Sequence, residues 1–166
     1  MYCRITNKNN VMINRKLTLY LDTSVVGGYY DDEFRLDTQQ LFREIQARRY
    51  DIVISNLTLK ELIKSPENVR TLFRDLTINF NEITVTDECV ELAMEYLKEN
   101  VVGQTSMDDC IHIATATIYK VDILVIWNFK HIVNVHRIRG YNAVNIKNGY
   151  QTIDIRSPKN LISYED

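Results

Sequence analysis

Short apolar runs alternate with helical patterns along most of this chain. Runs at residues 17–21, 51–54, 82–85 and 123–127 have the length and composition of strands. Between them, apolar side chains recur with the 3.6-residue period of an amphipathic helix, most clearly over residues 36–48 and 86–99. Strands that alternate with helices predict βαβ units and a parallel sheet, so the predicted fold class is α/β.

The two ends of the chain are less regular. Residues 1–15 are polar and rich in asparagine, which predicts a flexible tail before a single domain over residues 16–166. Met12, just before the first strand, is an alternative start. Near the other end we predict a fifth strand at residues 143–146 and a hairpin at 149–155. Further helices are predicted over residues 25–30, 57–64 and 67–76, and from Ser106 onward.

Composition narrows the class of protein. Of the 166 residues, 45% are hydrophobic and 25% charged, which is ordinary for a globular domain. The three cysteines are far apart, which fits a reducing compartment and excludes a disulfide framework or a cysteine zinc site. We predict that Cys89 and Cys110 are small buried hydrophobes. No segment has the length of a membrane span or the pattern of a secretory signal, so a cytoplasmic location is expected.

The distribution of charge is more informative than its sum. A formal net charge of −2 argues mildly against a nucleic-acid-binding protein. Residues 123–153, however, contain no Asp or Glu, and a local positive stripe can bind phosphates even on an acidic protein. An ordinary solvated surface with a chance bias explains the same stripe equally well. Its cationic and histidine side chains are Lys130, Arg137, Arg139, Lys147, His131 and His136.

Four oxygen-bearing side chains lie where a parallel sheet builds its sites. Asp22 follows the first apolar run and Asn128 follows the run at 123–127, and ligands bind beyond the carboxyl ends of such strands. Glu61 and Asp109 lie on helical segments between the strands. Carboxylate and amide oxygens are hard ligands suited to Mg²⁺ or Mn²⁺ rather than to zinc. This set therefore indicates metal-assisted phosphodiester chemistry.

Structural roles compete at each of these positions. Asp22 is equally well explained as the cap of the next helix, and Glu61 taken alone is more typical of a surface pair with Lys64. Asp108 and Asp109 follow Ser106 at a helix start, where acids are favourable; we assign Asp109 to the metal and Asp108 to a supporting or capping role.

Four more polar side chains have weaker signals. His112, one turn after Asp109, is more typical of a satisfied structural histidine than of a metal ligand. Asn128 either holds a metal-bound water or makes an Asx-turn. Thr23 and Ser55 offer hydroxyl groups at strand ends that could bind a phosphate or a water.

Taken in order, these motifs resemble those of PIN-domain proteins. The resemblance covers residues from about 17 to 146 and is carried by LDTSV at 21–25, SNLTLKEL at 55–62, DCIHIATA at 109–116 and WNFKH at 127–131. It implies an α/β/α sandwich, a three-layer arrangement around a mostly parallel sheet of four to five strands. It also implies acids that bind Mg²⁺ or Mn²⁺ for cleavage of single-stranded RNA, as in the VapC-like toxins of type II toxin–antitoxin pairs.

The resemblance assigns a role to each matching position. The first, second and third acids are Asp22, Glu61 and Asp109, which would bind the metal; Asn128 stands where the fourth acid is often Asp. Ile126 replaces the usual Thr two residues earlier, and the segment after about residue 147 extends beyond a minimal toxin domain. The catalytic set expected is Asp22, Glu61, Asp109 and Asn128, supported by Asp108, Thr23 and Ser55, with Lys130, Arg137 and Arg139 on the RNA.

The function expected from this resemblance is a metal-dependent endoribonuclease of the toxin type. Its expected partners are RNA, a small antitoxin protein and a second copy of the chain in a homodimer, with no membrane association. Two alternatives stay open. One is a nuclease that processes RNA outside toxin–antitoxin systems, and the other is an inactive PIN-fold module that binds RNA or a protein.

Overall fold

A five-stranded parallel sheet forms the centre of the structure. The computed structural model describes residues 2–6, 12–101, 106–127 and 134–162, with side-chain detail from residue 15 onward. The strand order is β4-β3-β2-β5-β6, and β1 pairs with β2 in the antiparallel direction outside this path. The strands are β1 (Tyr2–Thr6), β2 (Met12–Leu21), β3 (Tyr50–Ser55), β4 (Asn81–Ile83), β5 (Ile123–Val125) and β6 (Asp154–Arg156).

Helices connect the strands and cover both faces of the sheet. Several begin at a residue whose side-chain oxygen accepts a backbone N–H, as the sequence predicted for Thr86 and Ser106. The helices are α1 (Thr23–Gly28), α2 (Arg35–Gln46), α3 (Asn56–Leu62), α4 (Glu67–Arg70), α5 (Leu72–Asp75), α6 (Asp87–Lys98), α7 (Met107–Ile118), α8 (Val135–Lys147) and α9 (Pro158–Leu161).

The register brings three strand ends to one edge. Leu21 pairs with Val125, and Tyr20 pairs with Val53, so β2, β3 and β5 end side by side. The backbone N–H of Asp22 donates to the Val125 carbonyl at 3.1 Å, which ties the residue after β2 to the end of β5. Strands β3 and β5 lie on opposite sides of β2, so the strand order reverses direction at this edge. Such a switch point leaves a crevice where α/β proteins bind ligands.

Alternation along β2 divides the core into two layers. Leu19 and Leu21 pack on one face with residues of α1 and α2. Tyr20 points to the other face and packs with residues of α6, α7 and α8. Both Cys89 and Cys110 are fully buried, as predicted, and Cys110 belongs to this second layer. The α/β/α sandwich predicted from the sequence is therefore confirmed.

The strand content of the first fifteen residues differs from the prediction of an irregular tail. Strand β1 and the beginning of β2 form an antiparallel pair, with Tyr2 opposite Lys16 and Thr6 opposite Met12. This segment lacks the apolar alternation that reveals a half-buried strand, so periodicity gave no signal there. The division into a tail and one domain over residues 16–166 stays a prediction.

Three predicted elements at other positions are wrong. Residues 143–146, predicted as a strand, belong to α8, and the predicted hairpin at 149–155 is replaced by β6, which pairs in parallel with β5. Short apolar runs do not distinguish a strand from a helix. The single helix predicted over 67–76 is two short helices, α4 and α5, that meet at Thr71.

A buried polar network attaches α8 to this layer. Asn145 is fully buried and accepts a hydrogen bond from the Tyr96 hydroxyl, while its amide donates to Thr117 at 3.2 Å. The side chain of Asn142 both donates to the backbone carbonyl of Ile153 and accepts from its backbone N–H.

None of the helices in the described part of the chain combines the length and apolar character needed to cross a membrane.

The contact between α1 and Trp127 predicts opposite effects for two neighbouring glycines. A Cβ at Gly28 would lie 2.8 Å from Trp127 Nε1, whereas a Cβ at Gly27 would meet nothing within 4 Å. We expect Gly28→Ala to lower the free energy of unfolding by about 1–3 kcal/mol through overpacking. Gly27→Ala should raise it by about 0.5–1 kcal/mol, because alanine is the better helix former.

Urea denaturation followed by the fluorescence of Trp127, the only tryptophan, measures both changes. If both variants had the same stability, the proposed tight packing of Trp127 against α1 would be wrong.

Candidate metal centre

Asp22 has two roles, one for each carboxylate oxygen. Its Oδ2 accepts the backbone N–H of Ser24 at 2.9 Å and so caps α1. Its Oδ1 lies 3.4 Å from His112 Nε2 on the other side. The capping role and the site role that the sequence offered as alternatives are therefore compatible, because capping occupies only one oxygen.

Glu61 turns toward Asp22 from the last turn of α3. Its Oε2 accepts hydrogen bonds from the Thr23 hydroxyl and from His112 Nε2, the latter at 3.1 Å. Burial works against the charged form of Glu61, but these hydrogen bonds prevail and hold the pKa of the carboxyl below its ordinary value. The Thr23 hydroxyl, which the sequence offered as a group for a phosphate or a water, is thus bonded to Glu61.

His112 is the most buried member of this group, with 1% of its surface exposed. Its Nδ1 lies 2.7 Å from the Tyr20 hydroxyl, and its Nε2 faces the two carboxylates. Burial opposes the charge on the imidazole, yet the hydrogen bond to Glu61 and the charges of Asp22, Glu61 and Asp109 raise its pKa. The ring is therefore held by the fold on one side and by the acids on the other.

Asp109 lies in the first turn of α7, three residues before His112. Its backbone N–H donates to Ser106 Oγ at 3.2 Å, and the residue is partly buried. Burial raises the pKa of the Asp109 carboxyl by more than the hydrogen bonding with Ser106 lowers it, and the charge of Asp22 raises it further. Asp108, beside it, is exposed to solvent.

The other site residues predicted from the sequence lie in different parts of the structure. Ser55 is fully buried; its hydroxyl accepts from Tyr20 at 2.6 Å and from the Thr58 backbone at 3.1 Å, so it supports the site from below. Arg137 and Arg139 lie on the first half of α8, where Arg139 is exposed. Asn128 and Lys130 lie outside the described residues.

The cationic stripe is partly neutralised. Lys147 at the end of α8 pairs with Glu99 at 2.5 Å, so its charge is already compensated. His136, next to the cap of α8, is exposed. Arg137, which is half-buried, and Arg139, which is exposed, are the described side chains of the stripe that the sequence assigned to RNA.

Sequence reasoning did not single out Tyr20, and it favoured a structural role for His112. Their signals were present but weak. Tyr20 is a tyrosine in an apolar strand, and His112 follows Asp109 at the i+3 spacing that puts both on one face of a helix. The contact between them joins residues that are 92 positions apart in sequence, which no local pattern shows.

The donor atoms of this site fit a divalent cation. One oxygen each from Asp22 and Glu61 and one nitrogen of His112 lie within 4.8 Å of one another, close enough to share a single ion. Among the described residues, these three form the tight cluster, meaning the group of acidic, histidine or cysteine side chains close enough to share an ion. Asp109 is outside this tight cluster. Carboxylates suit Mg²⁺ and Mn²⁺, and imidazole is a common ligand of transition metals.

Comparison with known families agrees with this geometry. The family model of the PIN domain matches residues 19–128, which include Asp22, Glu61, Asp109 and His112. The chain belongs to the PIN-domain family. A search among curated proteins gives no match.

Solved structures share the fold of this PIN domain at low sequence identity. The VapBC2 complex of Rickettsia felis, bound to a promoter DNA fragment, is 14% identical with a TM-score of 0.57; the alignment covers 85% of this chain and 98% of that one. VapC20 of Mycobacterium tuberculosis, a toxin that cleaves the sarcin–ricin loop, is 15% identical with a TM-score of 0.52, over 67% and 90% of the chains. A toxin–antitoxin complex from Klebsiella pneumoniae is 18% identical with a TM-score of 0.51, over 70% and 92%.

The raised pKa of Asp109 in the PIN domain leads to a prediction about thermal stability with and without metal. Because burial and Asp22 raise the folded-state pKa of Asp109, its charged form costs stability above that pKa, and the cost fades as the pH falls toward the ordinary Asp range. We expect Asp109→Asn to melt at a higher temperature than the unsubstituted protein in EDTA at pH 7. The gain should shrink in acid.

Asp108→Asn is the matched control, since it removes the same charge from an exposed position at the same helix start. Thermal melts in EDTA and in millimolar Mn²⁺ test the difference. Metal should reduce or reverse the advantage of Asp109→Asn, because only the intact site gains binding free energy. Equal destabilisation of both variants in both buffers would leave Asp109 with a capping role alone.

Proposed function

We propose that this PIN domain is a metal-dependent endoribonuclease that hydrolyses phosphodiesters of single-stranded RNA. The observation that carries the proposal is the approach of the Asp22 and Glu61 carboxylates at the carboxyl edge of the parallel sheet. Two acids this close repel each other unless a cation lies between them. Asp22, Glu61 and Asp109 would hold Mg²⁺ or Mn²⁺, and Asn128 would orient a water.

The residues around Asp22 and Glu61 hold the two carboxylates in fixed positions. Thr23 and His112 hold the Glu61 carboxylate by hydrogen bonds, and the Ser24 backbone N–H holds one oxygen of Asp22. A bound divalent cation would polarise the scissile phosphate and provide an activated water. Preorganised carboxylates cost no rearrangement when charge develops at the phosphate. Arg137 and Arg139 would hold the phosphate backbone.

We further propose that the enzyme acts as a toxin restrained by a small antitoxin protein. The support is the fold shared with toxin–antitoxin assemblies from Rickettsia felis and Klebsiella pneumoniae. The homodimer expected from the sequence stays a prediction. A gene for a small protein beside that of this chain would favour the toxin over a nuclease for RNA processing.

Substitution of the first acid tests the nuclease. We expect Asp22→Asn to reduce Mn²⁺-dependent cleavage of a single-stranded RNA on the order of 100-fold or more, because the site loses one of its charges. The amide can still cap α1, so circular dichroism should show an intact fold. Asp87→Asn, which replaces an exposed acid at the start of α6, is the control and should cleave within a few-fold of the unsubstituted protein.

Near-normal cleavage by Asp22→Asn would show that the metal-ligand assignment is wrong. The toxin is tested separately by expression in a bacterial host, where the unsubstituted protein should arrest growth and Asp22→Asn should not. Cleavage of RNA without growth arrest would favour an RNA-processing enzyme.

The role of α8 is tested by the salt dependence of binding. The double substitution Arg137→Ala with Arg139→Ala should weaken RNA binding and reduce the slope of log affinity against log salt by about 0.7 for each lost phosphate contact. Removing Arg70 and Lys159, two exposed cations on other helices, is the matched control and should leave the slope unchanged. Fluorescence anisotropy over a salt series measures both. An equal change in the two double variants would mean that α8 has no special role.

A further inference from the structure

A buried hydrogen-bond chain fixes the orientation of the His112 ring. The Tyr20 hydroxyl donates to Ser55 Oγ at 2.6 Å, and Ser55 is itself fixed by the Thr58 backbone N–H at 3.1 Å. The Tyr20 oxygen is then free to accept a hydrogen from His112 Nδ1, which lies 2.7 Å away. Nδ1 thus donates its hydrogen to Tyr20, and Nε2 points at the carboxylates, where in the metal-free protein it donates a hydrogen to Glu61 that a bound cation would replace.

This orientation is typical of a histidine that binds a metal. Metal-ligating histidines donate the N–H of the opposite ring nitrogen to a neighbouring group, which sets the tautomer and the direction of the ring. In this protein Nδ1 meets Tyr20, while Nε2 lies 3.1 Å from Glu61 Oε2 and 3.4 Å from Asp22 Oδ1. The side chain is 2% exposed, so it cannot turn away without opening the core.

We propose that His112 Nε2 is a ligand of the divalent cation, which it shares with Asp22 and Glu61. The inference rests on the proposed function and adds a nitrogen to a site that the sequence described with oxygens alone. Tyr20 is a positioning residue that acts through His112. Ser55 supports Tyr20 in the same way.

A nitrogen ligand changes which metal the site prefers. An oxygen-only set suits Mg²⁺, whereas imidazole raises the affinity for transition metals, which increases from Mn²⁺ through Co²⁺ to Ni²⁺. We therefore expect the protein to bind Mn²⁺ more tightly than Mg²⁺. His112→Gln should bring the two affinities closer together, because a glutamine offers an oxygen in place of the nitrogen.

Pulsed electron paramagnetic resonance of the full chain loaded with Mn²⁺ tests the ligand directly. A nitrogen bonded to Mn²⁺ modulates the electron spin echo, and labelling the histidines with ¹⁵N should change that modulation to the ¹⁵N pattern. The chain has three histidines, so single variants assign the signal. His112→Gln should lose it, and His136→Gln, which replaces an exposed histidine on α8, should keep it.

Tyr20→Phe provides a second variant that keeps the ring and the packing. It removes only the hydroxyl that holds Nδ1, so the nitrogen signal should persist while the Mn²⁺ affinity falls roughly 10- to 100-fold. Quenching of Trp127 fluorescence by Mn²⁺ measures the affinity of each variant. Trp127 lies near the site, since its backbone N–H donates to Ser24 Oγ at 3.0 Å.

The outcomes separate this inference from the proposed function. Mn²⁺ binding without a nitrogen signal in the unsubstituted protein would overturn the role of His112 and leave a carboxylate metal site intact. No Mn²⁺ binding at all would overturn the metal site and the nuclease with it. A ¹⁵N-sensitive signal that survives His112→Gln would assign the nitrogen to another histidine and would also overturn the inference.

Discussion

The close approach of two carboxylates to one buried imidazole is the constraint on which the functional region depends. Asp22 and Glu61 lie within 4.8 Å of each other and of His112 Nε2. Two negative charges about 4 Å apart repel by roughly 4 kcal/mol at an effective dielectric constant near 20. The fold lowers this cost because each acid has its own partner, the α1 backbone for Asp22 and Thr23 for Glu61, and because the His112 ring lies against both. A region held this way is prepared for a cation before one arrives.

The alternation of side chains along β2 connects this region to both layers of the sandwich. Leu19 and Leu21 secure β2 to the layer of α1 and α2, and Tyr20 between them reaches the layer of α7. The Tyr20 hydroxyl meets His112 at 2.7 Å there. A shift of β2 by one residue would exchange the two faces and remove Tyr20 from His112. The register that builds the core therefore also positions the His112 ring against the two acids.

Much of the fold could be predicted because it depends on local patterns. The runs that became β2, β3, β4 and β5 are short and apolar, and Thr86 and Ser106 mark helix starts by a hydrogen bond within one turn. The errors fall where local pattern is ambiguous. Residues 143–146 read equally as strand or helix, and packing of Asn145 against Tyr96 and Thr117 decided for the helix.

The sequence by itself determined the PIN-domain family, the parallel sheet and the place of Asp22 beyond a strand end, since these follow from periodicity and from residue types at element boundaries. It also singled out Glu61 and Asp109, although each alone was better explained as an ordinary helical acid. Only the tertiary structure decided that Asp22 caps a helix and faces the site at once, and that His112 meets the acids. Those relations join residues that are distant along the chain, so the register of the sheet and the packing of α7 upon it establish them.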